Sequence, residues 1–250
     1  MEIRRISGAL GAEILGVDLS KDFPEKEIRR VFLEHQVVFF RDQALDPAQF
    51  MAFARRMGKP IEYPFVKGIA GFPEVIEVRK LEHEKHNFGG VWHSDTAYLD
   101  EPPMGSMLLA REVPPHGGDT EFASQYAAYE ALSAGMRRTL DGLVAVNTSS
   151  KADATRTRED MVKEYPREYV AEHPVVRTHP ETGRKALYVN VGHTAKFRGM
   201  TGQESAPLLE FLFRHQVKSE FTCRFRWQAG SLAFWDNRCT QHNAINDYHG

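Results

Sequence analysis

Four large apolar residues stand in a row at Val37-Val38-Phe39-Phe40, between Gln36 and Arg41. In a strand, successive side chains point to opposite faces. A strand without polar alternation therefore needs cover on both sides. Whatever fold this chain adopts must place a layer of structure above this run and another below it.

The surrounding segments suggest what those layers are. Ile3 to Asp18 reads as two short strands about a Gly8-Ala9-Leu10-Gly11 turn. Strands are also expected over Val75–Arg79, Ser106–Arg111, Glu121–Ala123, Pro174–Thr178, Lys185–Asn190, Thr222–Trp227 and Leu232–Trp235, most of them bounded by Gly or Pro. Helical periodicity is found in Phe23–Glu34, with Ile28, Val31 and Phe32 on one face. Asp46-Pro47 pairs an N-cap residue with proline at the first helical position, opening a helix that ends at Met57 before Gly58. Helical stretches are further expected within Tyr126–Leu143 and over Ser205–Gln216, with Leu208, Leu209, Leu212 and Phe213 inward. Lys151 to Glu172 is charged and lacks sustained periodicity, as an exposed helix or a lid would. Many short strands with a few helices describe a mainly-β fold, a sandwich or jelly roll flanked by α-helices. No repeat or low-complexity linker divides the chain, so one domain over residues 1–250 is expected.

Composition narrows the function classes. Formal net charge is −2, with no basic arm and no acidic tail, so neither nucleic acid nor an anionic membrane is an expected partner. No apolar run approaches the roughly 18 residues needed to span a bilayer, and Met1-Glu2-Ile3-Arg4-Arg5 is not followed by a signal-like apolar stretch. The only cysteines are Cys223 and Cys239, too few for a disulfide scaffold, which suits a reduced, cytoplasmic setting.

The chemistry concentrates in Val91-Trp92-His93-Ser94-Asp95-Thr96. Read as a strand, it turns His93 and Asp95 to one face and Trp92 and Ser94 to the other. An imidazole beside a carboxylate is two-thirds of the 2-His-1-carboxylate set that holds non-haem Fe(II), and His242 is the candidate for the distant third ligand. Alone, a His-x-Asp spacing is common by chance. His35, His83, His86, His116, His173, His179, His215 and His249 lack ligand spacing to this set and read as surface or hydrogen-bonded histidines.

Further pieces occur in a fixed order: Pro102-Pro103, Gly117-Gly118-Asp119-Thr120, Tyr188-Val189-Asn190, and Trp235-Asp236-Asn237-Arg238-Cys239-Thr240-Gln241-His242. Together with Trp92-His93-Ser94-Asp95 the set resembles the TauD/TfdA family of Fe(II)- and 2-oxoglutarate-dependent dioxygenases, over nearly the whole chain. The resemblance implies a double-stranded β-helix, or cupin-like jelly roll, with His93, Asp95 and His242 as iron ligands. It implies O2 and 2-oxoglutarate as co-substrates, and hydroxylation of a small organic anion (carboxylate, sulfonate or sulfate) with release of succinate and CO2. Thr120 matches the family threonine that hydrogen-bonds the 2-oxoglutarate carboxylate. Trp235 and Asn237 are expected to shape the strand end that presents His242.

The same resemblance places Tyr63, Thr96 and His193 at the substrate pocket. Tyr63 stands where taurine-type members carry a sulfonate-binding histidine, so taurine itself is not expected. Lys67-Gly68-Ile69, Gly71-Phe72-Pro73-Glu74-Val75 and Asp100 through Pro103 are closer to the aryloxyalkanoate dioxygenases, which points toward a carboxylate. The family also uses an arginine beyond the distal histidine to pair with 2-oxoglutarate. The sequence given stops at Gly250, and that arginine, with the closing strand that carries it, is expected beyond this point. Family members commonly self-associate, which makes a homo-oligomer an expectation. Two other readings stand beside the dioxygenase: a non-catalytic metal- or anion-binding jelly roll, and a Zn-dependent cupin-like hydrolase.

Overall fold

The computed structural model describes residues 1–153 and 168–250. Strands β1 (Glu2–Arg5) and β2 (Ala12–Leu15) pair antiparallel. Between them Gly11 sits at φ +90°, and a Cβ there would meet Cys223 Sγ at 3.0 Å. Helix α1 (Glu25–His35) buries Ile28, Val31, Phe32 and His35, the i, i+3, i+4, i+7 stripe of an amphipathic helix. Strand β3 (Val37–Phe40) is buried throughout. Helix α2 (Pro47–Met57) starts with a capping box, in which Asp46 accepts from the Gln49 backbone and the Gln49 side chain accepts from the Asp46 backbone.

Strands β4 (Gly105–Leu109) and β5 (Thr120–Ser124) follow, then helices α3 (Gln125–Glu130) and α4 (Ala134–Leu140). The expected single helical stretch is thus two, because Ser133 caps a new start by accepting from Met136 N. Next come β6 (Val144–Thr148), α5 (Ser150–Asp153), β7 (Val170–Pro174), β8 (Val176–Thr178), β9 (Lys185–Leu187) and β10 (Thr194–Phe197). Helix α6 (Gly202–His215), β11 (Thr222–Phe225), β12 (Leu232–Asp236) and β13 (Thr240–Ala244) complete the order.

The main sheet runs β1-β2-β3-β12-β4, and a second sheet runs β11-β5-β13. Strand β3 lies between its two demanded layers. Val38 and Phe40 pack with Phe32 and Phe53 of α1 and α2 and with Phe234. Val37 and Phe39 pack with Phe122, Phe225 and Trp235 toward the second sheet. Phe32 stacks on Phe234 at 4.0 Å, and Phe39 on Phe225 at 3.9 Å. Each such burial stabilises by about 1.5–3 kcal/mol before ordering costs. The chain crosses between the sheets at the turn from β12 to β13, which carries His242 to the inner layer. This is the mainly-β jelly-roll architecture with flanking helices that the pattern implied.

Two expected strands are not formed. Among the described residues Val75–Arg79 pairs with no strand, and instead it closes a tight turn, with Ile69 N donating to Val75 O at 2.8 Å. Val91–Thr96 is an irregular segment whose only ladder contact among the described residues is the bridge between His93 and His242. In the opposite direction, β6, β7 and β10 form a three-stranded sheet where no strands were expected. The reading of Lys151–Glu172 as an exposed helix or lid falls largely outside the described residues; its ends belong to α5 and β7. Among the described residues no helix is long and apolar enough to cross a membrane.

Candidate metal centre

His93 and His242 face each other across a backbone bridge. His93 N donates to His242 O at 3.1 Å, and His242 N donates to His93 O at 2.9 Å. Directly opposed residues of an antiparallel pair send their side chains to one side. The two imidazoles accordingly lie with ring centroids 4.2 Å apart. Asp95 reaches the same point from a segment that is not a regular strand, and the chain turns just after it. Thr96 adopts φ +50°, and Leu99 N donates to Thr96 O at 2.9 Å.

Hydrogen bonds fix which atoms face inward. His93 Nδ1 lies 2.7 Å from Val91 O and donates to it, leaving the Nε2 lone pair free. That nitrogen is 3.3 Å from Asp95 Oδ1, and His242 Nε2 is 3.8 Å from the same oxygen. Asp95 Oδ2 is occupied: Ser106 Oγ donates to it at 2.6 Å and Trp235 Nε1 at 3.2 Å. One ligand atom from each of His93, Asp95 and His242 therefore lies within 4.8 Å of the others.

The electrostatics mark a site shaped for a cation. Burial alone would raise the Asp95 carboxyl, but the two imidazoles and Ser106 outweigh it and hold it well below the usual carboxylate range. Burial opposes protonation of His93, yet Asp95 and the Val91 carbonyl reverse this and raise it. His242 is pushed down to about 3 by burial and by its neighbour His93. A neutral His93 would set its Nε2 lone pair against the carboxylate oxygen with no proton between them. A bound divalent ion removes that repulsion, and two imidazoles with one carboxylate are a donor set it accepts. The residues present fit a metal.

The other expected site residues fall at graded distances from this point. His193 is buried, with its ring 5.9 Å from that of His93, and its Nδ1 has no partner among the described residues. Burial and the nearby His93 push it down to about 3, so it is uncharged at neutral pH. Thr96 is buried with its hydroxyl unpartnered among the described residues. Thr120 and Phe122 of β5 pair with Ala244 and His242 of β13, which sets Thr120 on the His242 face, two residues along. Its Oγ1 accepts from Trp227 Nε1 at 2.9 Å, so its own proton remains available to donate. Tyr63 is linked to His93 through a run of ring contacts by way of Phe65, Tyr98 and His193.

Sequence reasoning missed Ser106, for which no spacing gives a signal: its role depends on the pairing of β4 with β12. It also missed a second convergence of potential ligands, His179, Asp236 and Cys239. That group is a structural knot. His179 Nδ1 accepts from Glu181 N and Thr182 N, and its Nε2 donates to Asp236 at 3.0 Å, so both ring nitrogens are engaged within the protein.

Comparison with known proteins places the chain in a family. The sequence profile described as "Taurine catabolism dioxygenase TauD, TfdA family" matches residues 2–250. An alpha-ketoglutarate-dependent sulfate ester dioxygenase of Pseudomonas putida is 35% identical over 262 residues, 99% of this chain and 85% of the relative. An alpha-ketoglutarate-dependent 2,4-dichlorophenoxyacetate dioxygenase of Cupriavidus pinatubonensis is 35% identical over 238 residues, 87% of this chain and 81% of the relative. Among solved structures, a taurine dioxygenase from Burkholderia xenovorans superposes with a TM-score of 0.81 at 38% identity, covering 97% of this chain and 82% of its own. A jelly roll in which the backbone bridge between His93 and His242 brings two histidines and a carboxylate together is thus joined to a match over nearly its full length, and the chain belongs to the TauD/TfdA family of dioxygenases.

Proposed function

We propose that His93, Asp95 and His242 hold a ferrous ion, and that the enzyme uses 2-oxoglutarate and O2 to hydroxylate a small organic anion, releasing succinate and CO2. The observation that carries this reading is the convergence of His93 Nε2, His242 Nε2 and Asp95 Oδ1, with Asp95 Oδ2 already occupied by Ser106 and Trp235. Held there, such an ion would supply the redox chemistry that couples a 2-oxo acid to dioxygen. The chain's own part is to bind and orient. Thr120 would donate its free hydroxyl proton to the 2-oxoglutarate carboxylate. Thr96 and His193 offer buried polar atoms, without partners among the described residues, beside the ligands, and Tyr63 would supply an outer aromatic wall.

The relatives' names suggest the substrate class: a sulfate ester, a sulfonate or an aryloxyalkanoate carboxylate. A net charge of −2 gives no support for nucleic acid or an anionic membrane as partner.

The test is a panel of alkyl sulfates, sulfonates and phenoxy acids, scored by succinate release from 2-oxoglutarate with and without added Fe(II) and O2. Release that depends on both additions and on one anion class is expected. His93→Ala and Asp95→Ala should each abolish it, and turnover retained in either variant would overturn the ligand assignment. Hydrolysis supported by Zn(II), without succinate, would overturn the oxidative reading.

A further inference from the structure

We propose that Ser106 is a positioning residue for the metal centre, held in its working orientation by Asn237, so that Asp95 presents a single oxygen to the ion. This rests on the proposed triad and concerns residues that are not ligands. Ser106 Oγ lies 2.6 Å from Asp95 Oδ2, a charge-assisted hydrogen bond. Asn237 Nδ2 donates to the same Oγ at 2.9 Å. A serine hydroxyl has one proton and two acceptor sites. With Asn237 filling an acceptor site, the proton is directed to Asp95. Asn237 is itself anchored, its backbone N donating to Met104 O at 2.9 Å and its side chain reaching Pro103 O at 3.4 Å.

The frame behind this relay is the pairing of β4 with β12. Ser106 is directly opposite Trp235, so both donors to Asp95 Oδ2 come from one cross-strand pair. Strand β4 can approach that closely because residue 105 is glycine. A Cβ there would lie 2.6 Å from Trp235 O and 2.8 Å from Phe234 Cε2. Rotation about the terminal bond of an aspartate side chain is broad. Without Ser106 the longer contact from Trp235 is what, among the described residues, restrains that oxygen, and the carboxylate can turn both oxygens toward the ion. Groups that orient a metal ligand in this way commonly change metal affinity by about 10–100-fold.

The experiment measures Co(II) affinity and the visible spectrum of the Co(II) form for wild type, Ser106→Ala, Ser106→Thr, Asn237→Ala and Asp95→Ala. Ser106→Ala should bind Co(II) about 10–100-fold more weakly and shift the visible bands. Ser106→Thr, which keeps the hydroxyl, should restore both. Asn237→Ala should give a smaller loss in the same direction, and it keeps the proposal testable if Ser106→Ala does not fold. Wild-type affinity and bands in Ser106→Ala overturn the proposal, as does a loss that threonine does not recover. If Asp95→Ala itself binds as wild type, it is the triad that fails.

Discussion

His179 and Asp236 form a buried pair, with His179 Nε2 3.0 Å from Asp236 Oδ2 and the two side chains 0% and 1% exposed. Arg238 completes it, donating to Asp236 from Nε at 2.8 Å and from Nη2 at 2.7 Å. Glu181 then bridges Arg238 and Arg29, each at 2.6 Å. The knot ties helix α1 and the loop between β8 and β9 to the turn that leads from β12 to His242. Removing one partner of a buried, hydrogen-bonded charge pair costs about 3–5 kcal/mol. Asp236→Asn is therefore expected to lower unfolding stability by about 3 kcal/mol in a urea titration. A loss under about 1 kcal/mol would show that the knot is dispensable.

Buried titrating groups set the acid side of stability. Burial holds His173 below its ordinary range, against the opposing pull of the Leu99 carbonyl, and lowers His35 likewise against Glu34. A histidine whose folded pKa lies below the unfolded value of about 6.5 binds its proton more readily when unfolded. Its contribution is complete above that pH and is lost as pH falls through it. Asp236 is lowered as well, since Arg238 and His179 outweigh burial, so its contribution is lost only below an unfolded pKa of about 3.9. Melting temperature should fall first below about pH 6.5 and again below about pH 4. The difference between wild type and His173→Gln isolates one group. It should be constant above about pH 7 and move against wild type below about pH 6.5. A difference that stays flat down to pH 5 would remove His173 from the account.

What the sequence could reveal was governed by range. The double-sided burial of Val37–Phe40 was legible because four apolar residues in a row leave a strand no solvent face. The candidate set His93, Asp95 and His242, which the fold brings together, was named from residue type and order. Their presentation was not. Strand alternation was expected to align His93 with Asp95, but residues 91–96 form no strand, and the chain turns just after Asp95, with Thr96 at φ +50°. Val75–Arg79 has strand-like residues yet finds no neighbouring edge, and a ladder needs one. Strand β7 was hidden in a charged segment because it pairs with β6 across residues outside the described part of the chain. Ser106 and the His179–Asp236 pair depend on cross-strand register and on loop contacts between distant segments, which composition and periodicity do not encode.

Close backbone approach, not side-chain chemistry, decides the next expectation. Gly192 N donates to Trp92 O at 3.3 Å, and a Cβ at residue 192 would lie 2.9 Å from His93 Cβ. On the other side, a Cβ at Gly89 would lie 3.1 Å from His93 Cε1. His93 is thus set between two glycines. Its Cβ is attached to the backbone and has no freedom to swing away, so Gly192→Ala must displace the bridge between His93 and His242. Overpacking of this kind costs about 1–3 kcal/mol. Co(II) affinity should drop as well, and a variant that keeps wild-type affinity would show that the bridge tolerates the shift.

Thr96 invites the converse experiment. It is a β-branched residue in the left-handed region, at φ +50°, immediately after Asp95 and with its buried hydroxyl unpartnered among the described residues. That conformation costs a non-glycine residue about 1–2 kcal/mol. Glycine adopts it freely, so Thr96→Gly releases strain while losing a small buried side chain. The two effects oppose, and stability should stay within about 1 kcal/mol of wild type. If the hydroxyl serves the substrate, turnover should fall in the same variant, mainly through a raised KM. Thr96→Ser, which keeps the hydroxyl and drops the methyl, should recover most of the loss. A Thr96→Gly enzyme with unchanged KM and clearly lower stability would assign the residue to packing alone.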